Sequence, residues 1–182
     1  MMALLIIDVQ RGFDDPSWGK RNNLQAENNI KKLLEEFRKR KYPLYHVKHN
    51  SLNKQSPLYP SKQGNLIKNI AKPLRYEPLF IKHVNSAFIG TNLLETLQND
   101  KVNILIIVGL TTDHCVSTTA RMAANLGFTV FVVSDATATF DRKGYNGKYY
   151  DAETMHEVAL TSLQNEFVTI IDTKSLLNQT CA

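Results

Sequence analysis

The segment that decides the fold is VNILIIVGLTTDHCVSTTARMAANLG, residues 102–127. It opens on a continuous apolar run, Val102 to Val108, of the kind that forms a strand buried on both faces of a sheet. After the turn GLTTDHC, small and apolar side chains recur at helical spacing from Val116 to Leu126, and Gly127 follows as a C-terminal cap. The segment therefore predicts a buried strand that turns directly into a helix.

The same alternation of strand and helix extends along the rest of the chain. Five further apolar runs predict strands, the second of them weaker than the others: Ala3 to Ile7, Pro43 to Val47, Leu79 to Ile81, Phe128 to Val133 and Phe167 to Ile171. Apolar stripes predict helices around residues 30–37, 92–98 and 155–162, the last through Met155, Val158, Ala159 and Ser162. Right-handed crossovers then give a doubly wound, Rossmann-like α/β domain with a parallel sheet and helices on both faces. A length of 182 residues fits one domain over residues 1–182.

Composition and charge exclude several classes of protein. The opening MMALLIIDVQ has no cationic lead and only a short apolar run, so we expect a cytoplasmic protein with no membrane partner. The two cysteines, Cys115 and Cys181, suit a reduced compartment. The net charge of +5 comes largely from residues 31–41, where basic residues alternate with glutamates as on a solvated helix face. With no recognised binding motif beside that charge, we expect no nucleic-acid partner.

Three polar residues lie where the predicted strands end, at the edge of a doubly wound sheet that binds ligands. Asp8 ends the first strand, Lys82 follows the third, and Cys115 begins the helix after Val102 to Val108. Each has an ordinary alternative: a turn-capping aspartate, a lysine that reaches solvent, and an inert buried cysteine. A helix start lowers the pKa of a cysteine, so we expect a thiolate at Cys115. A thiolate and a carboxylate would supply the counter-charges that Lys82 needs.

Motifs for nucleotides, serine nucleophiles and metals are missing or incomplete. No G-x-G-x-x-G, G-x-x-x-x-G-K or G-x-S-x-G motif occurs. His46 and His49 are three residues apart after the second strand, but no aspartate occurs from Pro16 to Asn99. Glu77 could take its place, but we favour surface or loop histidines without a metal.

Three segments in order resemble the isochorismatase-like cysteine hydrolases: LLIIDVQRGF, IKHVNSAFIGTNL and IIVGLTTDHCVSTTARMAANLGF. The resemblance runs from Met2 to about Thr173 and includes VSDATATF and MHEVALTSL. It implies a six-stranded parallel sheet, a triad of Asp8, Lys82 and Cys115, and no organic cofactor. It also implies a cis peptide bond between Leu110 and Thr111, which would aim the Thr111 N–H at the substrate. That N–H and the Cys115 N–H would form an oxyanion hole.

The resemblance predicts a reaction type and leaves several substrates open. We expect a cysteine hydrolase that cleaves a C–N bond of a small amide, ureide or lactam through a thioester. Phe13, Phe88 and Tyr145 are assigned to the substrate pocket, and a homo-oligomer, a dimer or tetramer, is expected. The alternatives are cleavage of a vinyl ether, which needs an acid but no thiol, and a catalytically silent ligand-binding relative. The nicotinamidase branch carries an aspartate and histidine metal site after strand two, and its aspartate has no match here.

The sequence also predicts two long irregular stretches, residues 51–78 and 137–151. The first is rich in proline, and the second carries Phe140, Tyr145, Tyr149 and Tyr150 around two glycines. Loops of this length in compact domains act as lids, contact surfaces or plain connectors.

Overall fold

A computed structural model describes residues 1–180 and builds them around one six-stranded parallel sheet. The strands of the chain are β1 (Met2–Ile7), β2 (Leu44–His49), β3 (Leu79–Lys82), β4 (Ile104–Leu110), β5 (Thr129–Ala138), β6 (Arg142–Lys143), β7 (Tyr149–Tyr150) and β8 (Thr169–Ile171). The main sheet has the order β3-β2-β1-β4-β5-β8, and β6 and β7 form a separate hairpin. Winding reverses between β1 and β4, where doubly wound folds bind their ligands. The predicted fold class is confirmed.

Five helices cover the two faces of the sheet: α1 (Ala26–Arg40), α2 (Leu93–Asn99), α3 (Ser117–Asn125), α4 (Ala152–Thr161) and α5 (Thr173–Thr180). Leu4 and Ile6 of β1 pack into the cluster that contains the apolar face of α1. Leu5 and Ile7 point the other way, into the cluster shared with α2 and α3. Because both faces of β1 are buried, its sequence is apolar without alternation.

The main differences from the predicted elements lie near the strand ends and in α4. β2 continues to His49, two residues beyond the predicted run, and β5 continues to Ala138, inside a stretch predicted to be irregular. The stripe predicted for α4 is wrong at Val158, which is 61% exposed, whereas His156 and Leu160 are buried. The buried face of α4 consists of Ala152, His156, Ala159 and Leu160, so it includes a polar residue that an apolar stripe does not reveal. Helix α5 was not predicted.

Within residues 1–180, no helix combines the length and the apolar character needed to cross a membrane. Cys115 is a buried free thiol, and Cys181 lies outside the described residues.

β1 and β4 lie in close contact at Gly109, one residue before the end of β4. Gly109 pairs with Ile7 and has a φ of +123°, and a Cβ atom there would lie 1.9 Å from the Ile7 carbonyl oxygen. Only glycine fits this position. Gly109 therefore lets β4 lie against the strand that ends at Asp8.

We predict that Gly109→Ala destabilises the fold by about 4 kcal/mol or more, because the clash is with backbone and nothing flexible can move away. Gly127→Ala is the matched control, since Gly127 also has a positive φ, +92°, but has nothing within 4 Å of its added Cβ. The control should lose only about 1–2 kcal/mol. Equilibrium urea unfolding measures both, and equal losses would contradict the role given to the close approach.

Candidate active site

Asp8 follows β1 directly, at the position where the winding of the sheet reverses. Its backbone is left-handed, with a φ of 52°, and its N–H donates to the Val47 carbonyl at 3.0 Å. This conformation is uncommon for a residue other than glycine and is often found at functional sites. The side chain is fully buried between β2 and β4. The carboxyl group therefore lies below the surface at the carboxyl edge of the sheet.

Lys82 ends β3, which is separated from β1 by β2. Two strand spacings amount to about 10 Å, a distance that a long side chain extended along the sheet edge can bridge. The Nζ atom of Lys82 lies 2.6 Å from Asp8 Oδ2 and 3.2 Å from Cys115 Sγ. Both Lys82 and Asp8 are fully buried. The structure thus brings together the three residues that the sequence proposed for the triad.

Cys115 lies in a single π-helical turn, Thr112–Val116, between β4 and α3. The peptide bond from Leu110 to Thr111, at the start of this turn, is cis. The Val116 N–H donates to the Thr111 carbonyl at 3.1 Å, which closes the turn. The backbone N–H groups of Thr111 and Cys115 both belong to this segment, and their role as an oxyanion hole stays a prediction.

Side chains from distant elements hold the turn around Cys115. The hydroxyl of Thr112 lies 2.8 Å from Nδ1 of His156, a buried residue of α4. Asp113 accepts hydrogen bonds from Thr139, just after β5, at 2.5 Å and from Arg142 of β6 at 3.1 Å. The sequence analysis missed these contacts because each joins residues at least 26 positions apart.

Burial of the sulfur opposes the resting thiolate that the sequence analysis expects at Cys115. Burial, and then the negative charge of Asp8, raises the pKa of Cys115 to about 12, although Lys82 opposes the rise. Complete burial likewise raises the pKa of Asp8 above its ordinary value against the opposing charge of Lys82. The sequence analysis weighed the helix start and the counter-charge of Lys82, but the depth at which the sulfur is buried cannot be read from the sequence.

The Lys82 ammonium and the two acids of the site, Asp8 and Cys115, behave as a unit. One ammonium balances one anion, and either Asp8 or Cys115 can carry that negative charge while the other holds the proton. Because the two acids are coupled, their titration belongs to the pair. The second carboxylate oxygen, Asp8 Oδ1, is buried and is the only such side-chain atom among the described residues with no hydrogen-bond partner. It is therefore free to accept a proton.

His49 is a further neighbour of the triad that the sequence did not place there. It ends β2 beside Lys82, and its Nδ1 lies 3.2 Å from Lys82 Nζ. Burial, followed by the charges of Lys82 and His83, lowers the pKa of His49 to about 4. The sequence could have located His49 through the length of β2. If the predicted strand is extended by two residues, it ends at His49, at the sheet edge that carries Lys82.

The description of His46 and His49 as surface or loop histidines is wrong, because both are strand residues. His46 is 1% exposed and its Nε2 lies 2.9 Å from Glu77. Glu77 also accepts from Arg38 at 2.7 and 2.8 Å, so it does not substitute for the missing aspartate beside His49. Burial lowers the pKa of His46, and the bond to Glu77 opposes that change.

The donor atoms of Asp8, His49 and Cys115 lie within 4.8 Å of one another, a grouping that suits a metal ion by ligand type. Lys82 Nζ, however, lies 2.6 to 3.2 Å from all three residues. A cation of the protein already fills the position between these atoms and would repel a second one. The residues present therefore do not fit a metal, and no step is assigned to one.

The aromatic residues assigned to the substrate pocket do not come together. Phe13 packs against Trp18 with ring centroids 5.2 Å apart, and Phe88 stacks on Phe128 at 6.2 Å inside the core. Tyr145 is fully exposed in the hairpin region. A side chain that does lie near the sulfur, besides that of Lys82, is Asn85, whose Oδ1 is 4.0 Å from Cys115 Sγ. A loop asparagine carries no signal in the sequence that marks it as a neighbour of the thiol.

The family described as Isochorismatase domain matches residues 2–175 of this chain. The chain is 48% identical to the uncharacterized isochorismatase family protein YrdC of Bacillus subtilis, over 97% of this chain and 94% of that protein. It is 29% identical to nicotinamidase 3 of Arabidopsis thaliana, over 96% of this chain and 86% of that protein. Among solved structures, an isochorismatase-family protein of Chromobacterium violaceum superposes with a TM-score of 0.93 at 37% identity, covering 97% of this chain and 91% of that one.

We predict that iodoacetamide labels Cys115 of the resting protein at pH 7 at least about tenfold more slowly than a free thiol, because little of it is thiolate. A Cys181→Ser protein leaves Cys115 as the only thiol to follow by mass spectrometry. The rate should rise with pH beyond pH 9, towards the raised pKa of the thiol. Labelling that is fast and constant from pH 6 to 9 would contradict the neutral resting thiol.

Proposed function

This chain belongs to the isochorismatase family and is a hydrolase, and we propose that it cleaves the C–N bond of a small amide, ureide or lactam through a thioester on Cys115. The observation that carries the proposal is the position of Lys82 Nζ, 2.6 Å from Asp8 and 3.2 Å from Cys115. A nucleophile and a base thereby share one cation in a buried site. Nicotinamidase 3, whose name describes an amide hydrolase, adds support for this kind of substrate.

In the first half-reaction, Asp8 accepts the Cys115 proton as the sulfur attacks the carbonyl carbon. The unpartnered Asp8 Oδ1 is an acceptor available for that proton. The raised pKa of Asp8 makes it a stronger base than an exposed carboxylate, and so reduces the cost of the transfer. Lys82 stays beside whichever partner is negative. The N–H groups of Thr111 and Cys115 donate to the developing oxyanion.

The first half-reaction ends with departure of the amine, and hydrolysis of the thioester follows. The protonated Asp8 gives its proton to the nitrogen as the C–N bond breaks, which releases an amine or ammonia and leaves the thioester. Water then attacks the thioester carbon while Asp8 accepts a proton from it. Collapse of that intermediate releases the carboxylic acid, and the departing sulfur takes the proton back. The charge of the site is the same before and after each step.

Cleavage of a vinyl ether is the second candidate, and one observation favours it. The raised pKa of Asp8 suits an acid that protonates a substrate carbon, and that chemistry needs no thiol. Since Lys82 contacts Cys115 as well as Asp8, the cysteine hydrolase accounts for more of the site. A catalytically silent relative would not need this arrangement.

The remaining expectations from the sequence stay predictions. They are a small-molecule substrate, no organic cofactor, no nucleic-acid partner, a cytoplasmic location and assembly into a dimer or tetramer.

The substrate class can be found by screening small amides, ureides and lactams for released ammonia or amine. With an active compound in hand, Cys115→Ala should lower kcat by about a thousandfold or more, because the variant has no nucleophile and members of a catalytic unit show large losses. Cys181→Ser should keep the activity of the parent. Circular dichroism establishes that both variants fold. A folded Cys115→Ala protein that keeps most of its activity would contradict the cysteine mechanism and favour acid catalysis by Asp8.

Exhaustive chelation should leave the activity unchanged, because the Lys82 ammonium occupies the centre of the Asp8, His49 and Cys115 group. Elemental analysis of the protein as purified should find no stoichiometric zinc. One metal ion per chain, with activity lost when it is removed and restored when it is added back, would overturn this assignment.

A further inference from the structure

The Lys82 ammonium has three N–H donors, and a buried ammonium needs an acceptor for each. Asp8 Oδ2 at 2.6 Å and Cys115 Sγ at 3.2 Å account for two of them. The third neighbour is Nδ1 of His49, at 3.2 Å. These three acceptors come from the ends of β1 and β2 and from the turn after β4. With His49 included, every donor of the buried cation has a partner.

An imidazole accepts a hydrogen bond only through an unprotonated nitrogen. Burial and the charge of Lys82 favour the neutral ring, and the pKa of His49 falls to about 4. Since Nδ1 faces the ammonium, the single proton of the neutral ring belongs on Nε2. A hydrogen bond with the Val84 backbone favours a protonated ring nitrogen and so suits the Nε2–H tautomer. The surroundings of His49 therefore select both its charge and its tautomer.

The backbone of His49 is held at two points by buried polar side chains. The Gln10 side-chain amide accepts from the His49 N–H at 2.9 Å and donates to the His49 carbonyl at 3.0 Å. Asn65 also donates to that carbonyl, at 3.1 Å. Gln10 is fully buried and Asn65 is 2% exposed. His49 is thus fixed from the start of the loop after β1 and from the stretch after β2, with no ligand present.

We propose that His49 is a positioning residue of the hydrolase, whose neutral imidazole accepts the third hydrogen bond of the Lys82 ammonium and keeps that ammonium between Asp8 and Cys115. The proposal rests on the proposed function for its effect on turnover, but the contact itself does not depend on which reaction the site performs. Without this acceptor, the ammonium loses a partner and is free to turn away from the sulfur. The thiolate that forms during the reaction would then lose its stabilising cation.

A matched pair of variants tests the acceptor. The Oδ1 atom of an asparagine can reach the place of the His49 Nδ1, whereas a leucine of similar size offers no acceptor. His49→Leu should lower kcat by about 10- to 100-fold, the effect typical of lost positioning contacts, with KM changed less than about threefold. His49→Asn should recover kcat to within about threefold of the parent. Equal losses in both folded variants would overturn the proposal.

Two measurements without substrate separate this proposal from the proposed function. Nitrogen-15 NMR of histidine-labelled protein, with His49 assigned by its loss in His49→Asn, should show the Nε2–H tautomer down to pH 5. Alkylation of Cys115 at pH 9 should be slowed at least about fivefold in His49→Leu and little changed in His49→Asn. An Nδ1–H or charged ring at pH 7 overturns the positioning role whatever the reaction is. If an active Cys115→Ala protein contradicts the cysteine mechanism, the NMR result still tests the contact between His49 and Lys82.

Discussion

The rest of the site depends on the burial of one ion pair, Lys82 with Asp8. Both side chains are fully enclosed, and removing one partner of such a pair commonly costs about 3–5 kcal/mol because the other charge is left unpaired. The pair also crosses β2, so it joins the edge strand of the sheet to the strand at which the winding reverses. The position of the cation therefore follows from the strand order, and Cys115 and His49 are arranged around that cation.

Burial explains why the site is balanced for the transfer of a proton. In water, an ammonium lowers the pKa of a neighbouring acid, but here desolvation raises the pKa of both Asp8 and Cys115. A single cation supports a single anion, so the proton can move between the two acids without changing the net charge. In the proposed reaction, the sulfur is neutral at rest and becomes a thiolate during the attack.

The polar residues around the triad show how a parallel sheet supports such a site. Gln10 joins the loop after β1 to the end of β2, and His156 and Asp113 join the cysteine turn to α4 and β6. Each of these side chains is held by partners far away in the sequence, and together they leave little freedom to the backbone that carries the reacting groups. Gly109 makes the same contribution through its lack of a side chain, because β4 could not lie against Ile7 otherwise.

The sequence by itself determined the parallel sheet and its six strands, because each strand is a local apolar run. It also predicted that Asp8, Lys82 and Cys115 lie at one edge of that sheet, because each follows a predicted strand. The resemblance of three ordered segments to a known family gave the class of reaction. Only the tertiary structure decided that His49 lies beside the Lys82 ammonium and that Phe88 and Tyr145 lie apart. It also decided how deeply the Cys115 thiol is buried, which raises the pKa of that thiol. The physical reason is that hydrogen-bond partners and desolvation depend on residues from distant parts of the chain. Lys82 and His49, for example, meet only because β2 and β3 are neighbouring strands. A local sequence pattern does not show how deeply a side chain is buried.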